Sequence, residues 1–132
     1  MLDDAQVHVK VRLAALWASV MSCYIYADYF ALYSPGQLAS MNRGIIPPFG
    51  EATDGVMIFV SAMLALPALM IFLSAALPAA PNRMLNLIAG ALYTLIISVT
   101  MWTSAHLIFY GVIEIALTLT AVFLAWRWPR TA

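Results

Sequence analysis

Between Met84 and Trp126 the chain runs for 43 residues with only two side chains that can carry charge near neutral pH, His106 and Glu114. Residues 11–32 and 55–77 are two further apolar stretches. Hydrophobic residues make up 64% of the chain and charged ones 9%, against about 45–50% and about 25% in soluble domains. The sequence therefore reads as one integral membrane domain over residues 1–132. Lipid penalises unpaired polar groups, so the few acids and histidines inside the apolar stretches are the best pointers to function. They do not name a reaction, and whether the protein is an enzyme stays open.

A spanning helix needs about 20 apolar residues. Four candidates meet that length, at 11–32, 55–77, 84–102 and 105–126. Joined as one helix, the last two would reach roughly 64 Å, twice a bilayer core, so a reversal is required. The polar run of Ser98, Thr100, Thr103, Ser104 and His106 is the place for it. The expected fold is all-α, a four-transmembrane-helix bundle with a short extracytoplasmic loop helix.

Lys10, Arg12, Arg83, Arg127 and Arg130 fall on one side of such a bundle and only Arg43 on the other. The positive-inside rule then places both termini in the cytoplasm and the protein in the cell (inner) membrane, with the bilayer as its main partner. Asp28, Glu51, Asp54 and His106 gather toward the opposite face. Most tryptophans and tyrosines, Trp17 among them, are expected near helix ends as an aromatic belt. The first stretch begins after Asp3 and Asp4 and exceeds a usual signal-peptide core, so it reads as a retained span. Six basic residues and zero net charge argue against nucleic-acid binding. Cys23 is the single cysteine, which excludes thiol-disulfide chemistry within the chain and suggests a small packing residue.

The longest connection holds a helix start at Ser34-Pro35-Gly36-Gln37, which predicts a short helix over Pro35 to Arg43. Ile45-Ile46-Pro47-Pro48-Phe49 is too apolar for free solution and too proline-rich for a helix. It should lie on the outer membrane surface or cap the bundle. Thr53 is placed to cap the second span. Pro67 should kink that span and free a carbonyl one turn earlier. Pro78 to Arg83 reads as a compact turn that makes spans two and three antiparallel neighbours. In the first span Ala15, Ser19, Cys23 and Ala27 form a small-residue face suited to close helix contact. Trp17, Met21, Tyr24 and Asp28 lie opposite.

His106, Tyr110 and Glu114 share one face of the fourth span, which should point inward. Glu114 lies about 12 Å below His106 along the helix. A charge there costs roughly 2.5–3.5 kcal/mol on insertion scales, so the expected state is a protonated acid or one bonded to Tyr110, Thr118 or a neighbouring helix. Its functional reading is an acid that accepts a proton or orients a ligand; the plainer one is a hydrogen bond between helices. Asp28 is either an interface anchor or part of a polar rim above Glu114. Glu51 and Asp54 suit a helix N-terminus. No metal site is expected, since nothing has ligand spacing such as HExxH. Two membrane histidines for a haem would require a dimer, and no cofactor is expected.

Three functional readings follow. The first is a binder of a small lipophilic molecule in an outer-leaflet cavity lined by Tyr24, Asp28, Trp102, His106, Tyr110 and Glu114. The second is a structural or accessory subunit, with a homo-oligomer among its forms. The third is a proton-coupled small transporter.

The order and spacing of several short motifs carry a resemblance. They are Leu16-Trp17, Tyr26-Ala27-Asp28, Pro35-Gly36, Leu66-Pro67 through Ser74, Asn82-Arg83, Ala89-Gly90, Ile113-Glu114 and Ala125 to Pro129. Across nearly the whole chain they resemble a prokaryotic family of small four-helix integral membrane proteins of unknown function. That resemblance implies four helices and no assigned activity. In layout the chain is also loosely similar to DoxX-like proteins and to the sterol isomerase and sigma-2 receptor proteins.

Overall fold

A computed structural model describes residues 1–130. In chain order it comprises α1 (Val9–Ala31), α2 (Gln37–Asn42), β1 (Ile45–Ile46), β2 (Gly50–Glu51), α3 (Asp54–Ala76), α4 (Ala79–Thr100) and α5 (Ala105–Trp126). A single 3-10 turn, Met101–Thr103, joins the last two helices. The chain is all-helical apart from one small hairpin. Three helices are long and apolar enough to cross a membrane: α3, α4 with its 3-10 extension, and α5. The sequence reading counted four such stretches; α1 does not reach the same apolarity. At 23 residues α1 is equally long, but Trp17, Ser19, Ser22, three tyrosines and Asp28 dilute its apolar run.

Local chemistry sets the helix ends. The Thr53 hydroxyl accepts from the Val56 N–H at 3.3 Å, and Asp54 stands in the first turn of α3, where an acid offsets the positive end of the helix. α4 starts at Ala79 rather than at the expected Met84. Pro81 does not delay it, because an N–H in the first helical turn has no intrahelical partner to lose. α2 is shorter than expected, and Gly36, with φ 81°, takes the capping position assigned to Ser34. The reversal between α4 and α5 falls within the polar run that predicted it. The Ile45 to Phe49 segment turns back on itself, pairing Ile45 with Glu51 and Ile46 with Gly50, and Phe49 packs edge-on against Phe59 of α3 at 5.7 Å.

α1 packs along both α3 and α5, and α4 packs along α5. α3 and α4 are antiparallel and joined by Leu77 and Pro78, yet they meet mainly through side chains that bridge them. The main core contains Trp17, Val20, Met70, Ala89, Tyr93 and Ile97; a second cluster of Val9, Leu13 and Ala121 closes the end that carries Val9 and Trp126. Trp17 is thus a core residue and not part of a belt, whereas Tyr26, Tyr29, Tyr33, Trp102 and Trp126 are exposed as a belt requires. The Leu13, Trp17 and Val20 face of α1 turns inward, and Ala15 and Ser19 of the small-residue face point out. Ser19 and Ser22 donate to the carbonyls of Ala15 and Ala18 at 3.0 and 2.9 Å, so both serine hydroxyls are satisfied within the helix.

Two buried polar arrangements tie α1, α3 and α4 together. Asn86 accepts from Trp17 Nε1 at 2.7 Å and donates to Asn82 Oδ1 at 2.8 Å and to the Ser74 hydroxyl at 3.2 Å. Asn82 in turn donates to the carbonyls of Ser74 and Leu77 at the end of α3, at 2.6 and 3.2 Å. Farther along α4, the Tyr93 hydroxyl donates to the carbonyl of Met63. That carbonyl is the one Pro67 leaves without its N–H, so the expected kink chemistry holds and a neighbouring helix supplies the donor.

Candidate functional site

The end of the bundle that carries the hairpin holds a cavity of about 280 Å³ between α1, α4 and α5. Tyr24, Ala27 and Asp28 form its α1 wall, Ile96, Ile97 and Thr100 the α4 wall, and Leu107, Tyr110, Gly111 and Glu114 the α5 wall. Pro47 and Pro48, at the tip of the hairpin, lie across it with Met101 and Thr103 of the turn. The apolar, proline-rich segment therefore caps the bundle, one of its two predicted placements. Gly111 makes room here: a Cβ on it would stand 2.7 Å from the Met101 side chain.

Beneath the cavity the bundle is filled. The rings of Tyr24 and Tyr93 meet at 6.4 Å, and those of Tyr93 and Trp17 at 6.0 Å, both edge to face. On the α4–α5 side the Thr94 and Thr118 hydroxyls share a hydrogen bond of 2.7 Å. One turn further, Gly90 lets the helices touch, since a Cβ there would lie 2.6 Å from Val122 Cγ2 and 3.2 Å from the Thr118 carbonyl oxygen.

Glu114 is 4% exposed and lines the cavity, and its Oε1 is buried with no hydrogen-bond partner in the protein. Tyr110 and Thr118, two of the partners weighed for its carboxyl alongside a protonated acid, do not bond it. The Thr118 hydroxyl instead bonds the Glu114 backbone carbonyl and Thr94. Asp28, exposed, stands at the mouth.

Of the six residues singled out from the sequence, Tyr24, Asp28, Tyr110 and Glu114 come together around this cavity, and Trp102 and His106 do not. Trp102 is exposed and donates its indole N–H to the Ser98 carbonyl at 2.7 Å. His106 pairs through Nδ1 with the Ser104 hydroxyl at 3.0 Å, while its Nε2 is buried without a partner. The reason is helical geometry: residues spaced by four drift about 40° per step, so His106 and Glu114 are about 80° apart around α5. The buried stripe accordingly runs through Gly111, Glu114, Thr118, Ala121 and Ala125. Sequence reasoning missed Gly111 and Thr100 as wall residues, and a glycine inside an apolar helix was the available signal. Glu51 lies in β2, exposed, two residues before the Thr53 cap of α3. Among the described residues no three His, Cys, Asp or Glu side chains converge on a point where a metal could bind.

No curated protein and no solved structure matches the chain, so the looser likeness to DoxX-like and sigma-2 receptor proteins finds no support. A family model does match, over residues 4–132. The chain belongs to that family, a family of unknown function (DUF6326).

Proposed function

We propose that this protein crosses the cell (inner) membrane four times, with both termini in the cytoplasm, and binds a small lipophilic molecule in the cavity, which opens toward the outer leaflet. The observation that carries the binding reading is Glu114, a buried acid that lines the cavity and whose Oε1 has no hydrogen-bond partner among the described residues. A carboxyl at such a depth is costly to leave bare, and a donor on a bound molecule offsets that cost. The cavity is slightly smaller than the roughly 300–1,000 Å³ of drug-sized sites, which suits a small ligand or one polar head of a longer one. The filled layer beneath it, from Tyr93 and Trp17 to the Gly90 contact, favours binding at one face over passage through the bundle.

α1 supports the fourth crossing. Its 23 residues extend about 34 Å, the length of a span, and it lies packed between α3 and α5. Orientation rests on the five basic residues on one side against Arg43 on the other. Ser40→Cys, in α2, should therefore react with a membrane-impermeant thiol reagent added outside the cell. Labelling only from the cytoplasm would reverse the topology.

Native mass spectrometry from mild detergent tests the binding. Wild-type protein should carry a lipophile that Glu114→Leu loses and Glu51→Gln keeps, because Glu51 is exposed on β2 away from the cavity. Equal retention by wild type and Glu114→Leu, or none by either, defeats the proposal. The same spectra read the rival accessory role. There the dominant species would be an oligomer or mixed assembly with no small molecule.

A further inference from the structure

Resting on the reading that the cavity holds a ligand, we propose that the ligand is a lipophilic amine, held as its ammonium between Glu114 and Asp28 and flanked by Tyr24 and Tyr110. Two carboxyl groups line the cavity, and no Lys, Arg or His does. Polar capacity is equally one-sided. The hydroxyls of Thr100 and Thr103 already donate to the carbonyls of Ile96 and Thr100, at 2.8 and 3.1 Å. The side-chain donors left among the lining residues are the two tyrosine hydroxyls, against four carboxylate oxygens.

Each class of lipophile meets this wall differently. An acid would meet two carboxyl groups and no basic side chain to offset its charge, and is disfavoured. A neutral alcohol offers one donor and leaves most of the acceptors unmet. A primary ammonium brings three donors and the missing positive charge, and tyrosine rings attract a cation placed over their faces. Glu114 makes this a ligand site and not merely an acidic rim. It lines the cavity with no protein donor on its buried Oε1, and a donor entering beside that carboxyl would compensate it.

Charge can be separated from shape with two near-isosteric probes, 4-phenylbutylamine and 4-phenylbutan-1-ol. Both would be titrated calorimetrically into the full chain in phosphatidylcholine nanodiscs, with empty nanodiscs subtracted. The amine should bind about tenfold more tightly than the alcohol, a difference of about 1.4 kcal/mol. Glu114→Gln should bring the two within about twofold by removing the charge and keeping the shape. Asp28→Asn, at the exposed mouth, should weaken the amine by about threefold, as expected of a partly screened charge, and leave the alcohol unchanged. If amine and alcohol bind wild type equally and Glu114→Leu loses both, the site takes a neutral lipophile and only the amine inference is overturned. If neither exceeds empty nanodiscs, the amine inference falls. The binding reading falls with it only if wild type also carries no lipophile in the native spectra.

Discussion

Asn86→Leu should cost about 3 kcal/mol or more of stability, because it strips partners from three buried groups, the Ser74 hydroxyl among them, at about 1–3 kcal/mol each. The Trp17 indole N–H loses its only acceptor, and Asn82 Oδ1 loses its donor. All of them lie in the bundle interior, where no water replaces the bond. Reversible unfolding in detergent micelles, followed by tryptophan fluorescence, measures the loss. Trp17→Phe removes the other end of the strongest contact, so the double variant should be less destabilised than the sum of the two singles. Strict additivity would mean that the two side chains do not act as a unit.

Gly90→Ala is the second large effect, since a single methyl group must displace atoms that cannot yield cheaply. Val122 is β-branched and stiff about χ1, and the Thr118 carbonyl is backbone. The expected cost is about 1–3 kcal/mol, as for overpacking in other cores, and α4 should move off α5 far enough to break the Thr94–Thr118 hydrogen bond. Gly55→Ala is the control. Its added Cβ meets nothing within 4 Å, so helix propensity alone acts, and the change should be neutral or stabilising by up to about 1 kcal/mol. Equal effects at both glycines would show that α4 and α5 are not held as closely as described.

For the cavity, the same contrast separates what was legible from what was not. Glu114 stood out because a carboxyl in the middle of an apolar stretch is costly wherever it points, and Pro47-Pro48 because an apolar run unable to form a helix must find cover. His106 was assigned to the same wall from spacing alone, and a helical period of 3.6 carries it out of line. Trp17 was assigned to the belt because tryptophan favours the interface. The acceptor that draws it inside, Asn86, lies 69 residues away on another helix.

By itself the sequence determined the helical class, the three strongly apolar helices among its four candidate spans, the reversal near Ser104, the cap at Thr53 and the carbonyl freed by Pro67. These depend on hydrophobic run length and on interactions within a few residues, which local chemistry dictates. Only the tertiary structure decided which face of α1 turns inward, that Tyr93 satisfies Met63, that Asn82 and Asn86 join three helices, and that Glu114 remains unbonded beside open space. Those outcomes turn on groups far apart in the chain meeting at hydrogen-bond distance. A period of 3.6 residues names the candidates on each face but not the neighbour each face will meet.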